Sequence, residues 1–106
     1  MKNATFSALL GRPCMEKRLT TYVWQLSVKS SLRLFLLYLI QHPNRAMPIE
    51  LDDIATVLYV SRPVAKQWAS VLAERGYVNL VGPDDGWVIL SERIGHLAQG
   101  FHEGSR

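Results

Sequence analysis

The hydrophobic positions of the chain change period along its length, and each change predicts a different element. Between residues 15 and 26 they recur every three or four residues, which is the spacing of one face of a helix. That face consists of Met15, Leu19, Tyr22, Val23 and Leu26. The pattern therefore predicts an amphipathic helix, set apart from a short preceding segment by Gly11, Arg12 and Pro13.

The stretch from Leu34 to Ile40 is apolar on every side and lies within a second predicted helix, 28–41, capped by Ser27. A strand is the competing prediction, but Leu-rich sequence with few β-branched residues favours a helix. These seven apolar residues are far fewer than the roughly 20 that a membrane-spanning helix needs. Because such a helix must be covered all round, we expect the preceding helix, or that of a second subunit, to pack on it.

Shorter elements follow after the turn at Pro43. They are a strand over 46–49, a short helix over 51–58, a helix from Arg62 to about Arg75, hairpin strands over 77–81 and 87–90, and a last helix after Ser91. Ser61 is a preferred residue at a helix start and Gly76 at a helix end. The hairpin loop, residues 82–86, is rich in Gly, Pro and Asp, as such turns are.

The order of these elements predicts a mainly α fold with a small β-hairpin, an α+β domain of the winged helix-turn-helix type. In the helix from Arg62 to Arg75 the predicted buried stripe is Val64, Ala65, Trp68, Val71 and Leu72. The positions left outward, with the cap, are Ser61, Arg62, Lys66, Gln67 and Ser70. Arg and Lys can donate to guanine, Gln can pair with adenine, and a helix N-terminus can hold a phosphate. We expect these five residues to contact double-stranded DNA, although any solvated helix face carries such residue types.

Four stretches resemble the C-terminal DNA-binding half of the cyclic-AMP-receptor/FNR-type (CRP/FNR-like) transcription regulators. They are 26–37 (LSVKSSLRLFLL), 51–55 (LDDIA), 60–62 (VSR) and 72–78 (LAERGYV), within a resemblance that spans about residues 15 to 91. The resemblance implies a palindromic DNA site, read by the helix that begins at Ser61 and Arg62. It also implies that the helix over 15–26 dimerises the protein through Met15, Leu19, Tyr22, Val23 and Leu26.

Three features depart from that family. Tyr59 stands where the turn usually has glycine, and 62–67 (RPVAKQ) replaces the usual reading sequence with its glutamate. We therefore expect a different turn geometry and a different base preference. No sensory domain precedes the helices, and the single cysteine, Cys14, cannot hold an iron–sulfur cluster, so no cofactor is expected. Either a regulatory protein partner supplies the control or the chain is a fragment.

Charge is unevenly distributed along the 106 residues, whose net charge is +3. Residues 1–29 carry five basic side chains and one acidic one, whereas residues 30–106 are net −1. Bulk charge alone therefore will not hold the second part on nucleic acid. Asp84 and Asp85 lie at the tip of the hairpin loop, where phosphate would be repelled, so we expect that loop to lie off the DNA backbone.

The acidic hairpin tip and Trp24 in the first helix also fit an alternative, a winged-helix protein–protein interaction module without DNA binding. An enzyme is the least favoured class, because the aspartate pairs 52–53 and 84–85 have no histidine beside them in a motif. His42, His96 and His102 lack metal-ligand spacing. No catalytic and no metal site is predicted.

The predicted organisation is an N-terminal helical dimerisation segment over 1–26, a winged helix-turn-helix domain over 27–102 and a frayed tail over 103–106. One cysteine allows no internal disulfide, and residues 1–10 lack the apolar stretch of a secretory signal. We therefore expect a cytoplasmic, nucleoid-associated homodimer that does not contact a membrane.

Overall fold

Five α-helices and three short strands make up residues 15–100, the part of the chain that the computed structural model describes. In chain order they are α1 (Met15–Gln25), α2 (Ser30–Gln41), β1 (Ile49–Glu50), α3 (Leu51–Leu58), α4 (Arg62–Glu74), β2 (Val78–Val81), β3 (Trp87–Leu90) and α5 (Glu92–Gly100). A 3₁₀ turn, Pro83–Asp85, lies in the hairpin loop. The expected α+β class, mainly helical with a small antiparallel sheet, is confirmed.

The core is built around α2, which packs against α1, α3, α4 and β3. The largest fully buried side chains of this core are Phe35, Met15, Leu19, Leu36, Leu39, Ile40, Leu51, Ile54, Leu72, Leu90 and Ile94. Full burial of a side chain of this size stabilises the fold by about 1.5–3 kcal/mol. The sequence predicts that other elements pack on every side of α2. They do so on most sides, but Leu34 remains exposed.

The sheet has the strand order β1-β3-β2, and both strand pairs are antiparallel. β1 is shorter than the predicted strand over 46–49, of which only Ile49 lies in the sheet. The preceding residues form a turn instead, closed by a hydrogen bond of 2.8 Å from Met47 N to Asn44 O. Pro48 then has no N–H to offer a neighbouring strand, so the ladder starts after it.

The first helix packs on its own chain, against α5 and α2. Arg18 Nη1 donates to Gln99 O of α5 at 3.1 Å. At the other end of α1, Arg33 Nη2 donates to Leu26 O at 2.6 Å, and the Arg33 guanidinium lies 5.5 Å from the centre of the Trp24 ring. Within the described residues, the predicted segment 1–26 and the predicted domain 27–102 thus share one core.

Several predicted boundaries move or lie outside the described residues. α2 begins at Ser30 rather than Val28, with Lys29 at the N-cap position and no side-chain cap, so Ser27 does not cap it. The predicted break at 11–13, residues 101–102 at the end of the predicted domain and the tail 103–106 fall outside the described residues. No helix among residues 15–100 is long and apolar enough to cross a membrane.

Candidate nucleic-acid interface

The turn between α3 and α4 is built around Tyr59, which adopts the left-handed conformation with φ 59° and ψ 43°. Its N–H donates to Thr56 O at 3.3 Å, and Val60 N donates to Ala55 O at 3.0 Å. This is the helix-ending geometry that glycine usually provides. The expectation of a different turn geometry is therefore wrong. The tyrosine is held in glycine's conformation, with its side chain 95% exposed.

The start of α4 follows the predicted capping pattern. Ser61 has extended backbone angles, and its Oγ accepts a hydrogen bond of 3.4 Å from Val64 N. Pro63 lies in the first turn, where a missing N–H costs nothing. Ser61 and the first turn are exposed to solvent.

The buried side of α4 consists of two alanines and a leucine, and it differs from the predicted stripe. Ala65, Ala69 and Leu72 are buried, whereas Trp68 and Val71 are half-buried and Val64 is exposed. The buried residues lie at i, i+4 and i+7, and the half-buried Trp68 and Val71 flank this line and pack against the edge of the core. Two alanines on the line let α4 approach its neighbours closely.

Arg62 is exposed but has partners within the chain. Its Nε lies 2.8 Å from Asp52 Oδ1 of α3, and the two side chains are 47% and 59% exposed. Its Nη2 lies so close to Gly86 that a side chain there would clash with it. An ion pair this exposed stabilises by about 0–1 kcal/mol, so a phosphate or a base can compete for Arg62.

Lys66 leans toward the hairpin loop and does not point freely outward. Its Nζ donates to the backbone carbonyl of Asp84 at 2.9 Å, and the residue is half-buried. Lys66 is thus only partly exposed, whereas the sequence predicts that it points outward to read bases. Gln67 is exposed beside it, and Ser70 is half-buried one turn further along.

A basic groove that the sequence reasoning missed lies on the other side of α4, between this helix and the start of α2. Its volume is about 280 Å³, and its lining includes Lys29, Ser31, Gln67, Trp68 and Arg75. Lys29 and Arg75 are exposed, and neither forms an ion pair with a carboxylate of the described residues. They lie 46 residues apart in sequence, so only the packing of α2 on α4 reveals them as neighbours.

The two sides of α4 therefore differ in charge. On the hairpin side, Arg62 pairs with the Asp52 carboxylate and Lys66 donates to the Asp84 backbone carbonyl, so both cations are engaged. On the α2 side, Lys29 and Arg75 flank Gln67 without a lining carboxylate among the described residues. A polyanion that lies along α4 is attracted toward the α2 side and repelled at the hairpin tip.

The residues that the family resemblance implies for dimerisation have other contacts in this structure. Met15, Leu19 and Val23 are buried in the chain's own core, and Tyr22 and Leu26 are half-buried beside it. A second copy cannot reach the first three in this fold. The exposed aromatic residue of α1 is Trp24, on a different side of the helix.

Other candidate groups have structural partners. His42 Nδ1 accepts a hydrogen bond of 3.0 Å from Asn44 N, and His96 Nε2 lies 3.7 Å from a Glu92 oxygen. Burial raises the pKa of the Tyr38 hydroxyl, and the negative charge of Asp53 raises it further. No cluster of metal-ligating side chains occurs among residues 15–100.

Comparisons of the chain with protein-family models, with curated proteins and with solved structures found no match.

Proposed function

We propose that this protein is a winged helix-turn-helix transcription regulator that binds double-stranded DNA, with α4 in the major groove. The observation that carries the proposal is the position of α4: it follows the capped turn at Ser61 and exposes Arg62 and Gln67 at the surface. An α-helix fits the major groove, which is about 12 Å wide. The element order and the β1-β3-β2 sheet also fit a winged helix.

The proposed roles divide between base and backbone contacts. Arg62, Lys66, Gln67 and Ser70 face base edges, where Arg and Lys select guanine and Gln selects adenine. Lys66 exchanges its contact with the Asp84 carbonyl for one with DNA. Ser61 and the first turn of α4 take a phosphate. Lys29 and Arg75 contact the DNA backbone from the basic groove, and these contacts fix the register of α4. The hairpin tip lies beside these reading residues, since Lys66 Nζ donates to Asp84 O at 2.9 Å, so its carboxylates lower the affinity for the duplex.

The resemblance to CRP/FNR-like regulators, the cytoplasmic, nucleoid-associated location and the homodimer belong to this proposal as well. A homodimer would not use the buried stripe of α1. It would meet the outer side of that helix, where Trp24 is exposed.

A salt titration tests the DNA interface. Fluorescence anisotropy with a random-sequence duplex of about 25 base pairs should give a log affinity that falls with log salt by roughly 0.9 for each phosphate contact. The Lys29→Gln/Arg75→Gln double variant should therefore reduce that slope by about 2 and weaken binding at least about tenfold at low salt. Lys17→Gln, an exposed cation on α1, is the matched control and should reduce neither.

A second double variant tests whether α4 recognises a particular DNA sequence. Arg62→Ala/Lys66→Ala should abolish preference for a duplex selected from a random library while the protein stays folded by circular dichroism. Absence of duplex binding at low salt, or unchanged binding in both double variants, would refute the interface.

A protein–protein interaction module without DNA binding is the second candidate. The contact between Lys66 Nζ and the Asp84 carbonyl favours it, because it draws one reading cation toward an acidic loop. This candidate predicts no salt-dependent duplex binding at all, so the same titration separates the two functions.

A further inference from the structure

A second groove, which the proposed DNA interface does not use, lies beside the edge strand β1. Its volume is about 350 Å³, and its walls come from the turn after α2, from β1, from the first turn of α3 and from Trp87 of β3. We call it the acidic groove. It shares no lining residue with the basic groove.

Two large apolar side chains of the acidic groove are open to solvent. Met47 is 55% exposed and Trp87 is 38% exposed. Trp87 pairs with Glu50 across the strands, and its indole lies against Gly82, where an added side chain would clash with the ring. An indole that rests on Gly82 and is partly exposed offers aromatic surface to a ligand.

The charge of the acidic groove is negative. Glu50 and Asp53 line it, and its described lining contains no lysine or arginine. A hydrogen bond of 2.8 Å from Leu51 N to Gly86 O joins the start of α3 to the hairpin loop, and the cations beside that loop, Arg62 and Lys66, do not line the groove. His42 lines the opposite wall, and its Nδ1 accepts from Asn44 N.

We propose that the acidic groove binds an arginine side chain, flanked by apolar residues, from a basic segment of a partner protein. Charge complementarity selects a cationic occupant. Arginine fits better than lysine, because its planar guanidinium can stack on Trp87 while it donates two parallel hydrogen bonds to Glu50 or Asp53. Leucine-like neighbours of that arginine would contact Met47. This site goes beyond the proposed DNA binding and does not depend on it.

The probe is the peptide acetyl-Leu-Arg-Leu-amide, titrated into the full chain and followed by ¹H–¹⁵N correlation spectra. The Trp87 indole N–H and the amides of Glu50 and Asp53 should shift and saturate below about 5 mM. The same peptide with uncharged citrulline in place of arginine should bind at least about fivefold more weakly. Binding should not change when DNA-interface residues Lys29 and Arg75 are replaced.

Two sets of variants test whether the peptide binds in the acidic groove. Glu50→Gln/Asp53→Asn should weaken peptide binding at least about fivefold, whereas Glu92→Gln, an exposed carboxylate on α5, should leave it unchanged. Met47→Lys, in an exposed turn, places a repelling cation in the groove and should also weaken binding, which checks the result independently of the carboxylates.

Three outcomes would overturn the proposal. They are no saturable shift at the groove, equal binding of the arginine and citrulline peptides, and shifts of the same resonances on dilution without peptide. The last would mean that a second copy of the chain occupies the groove.

Discussion

Replacing Tyr59 by glycine should stabilise the protein, although it removes a large side chain. Tyr59 holds a left-handed conformation, which costs a residue with a Cβ atom about 1–2 kcal/mol. Its side chain is 95% exposed, so its loss removes little packing. Glycine's extra freedom in the unfolded chain offsets about 0.4–1 kcal/mol of the gain. We therefore expect Tyr59→Gly to raise the free energy of unfolding by about 0.5–1 kcal/mol.

Urea unfolding followed by circular dichroism measures this change, and the slope of the transition should stay the same, because the surface exposed on unfolding is unchanged. In a chain of this size the melting temperature should rise by about 2–8 °C. Tyr59→Ala is the matched control, since alanine also loses the ring but keeps the Cβ atom and its strain. It should stay within about 0.5 kcal/mol of the parent. A glycine variant no more stable than the alanine variant would refute the assignment of strain to this turn.

Two further predictions concern a contact just beyond the end of α4 and a contact at its start. Ser91 Oγ donates to Gly76 O at 2.6 Å and accepts from Ile94 N at 3.2 Å. Ser91→Ala should therefore lower the free energy of unfolding by about 2–3 kcal/mol in urea denaturation, and Ser91→Thr should recover most of that loss. A loss below about 0.5 kcal/mol in Ser91→Ala would show that this capping contact contributes little. Asp52→Asn removes the ion-pair partner of Arg62 and a negative charge beside α4, so it should raise duplex affinity about two- to fivefold in the anisotropy titration. Weaker binding of Asp52→Asn would mean that Asp52 positions Arg62 for DNA and does not compete with it.

The sequence was sufficient for the order of the elements, because each depends on local signals. Helical spacing identified α1, and Ser61 with Pro63 marked the start of α4. The turn residue Tyr59 shows the limit of such reasoning. Its residue type argues against a left-handed conformation, and only the two helices packed on either side of it explain why the chain accepts the strain.

The candidate site was less predictable, since it depends on contacts between distant residues. The predicted buried stripe of α4 includes Val64, which is exposed, and omits Ala69, which is buried, because close helix packing selects small residues that carry little hydrophobic signal. The basic groove needs Lys29 next to Arg75, and no local pattern joins them. The partners of Arg62 and Lys66 come from α3 and the hairpin loop, so these contacts likewise have no local signal in the sequence.

The central claim, that α4 reads DNA bases, is tested most directly by the ratio of affinities for a duplex selected from a random library and for a scrambled duplex of the same composition. We predict a ratio of at least about 10³ at physiological salt, falling to near one in the Arg62→Ala/Lys66→Ala variant. A ratio near one in the parent protein would contradict the claim.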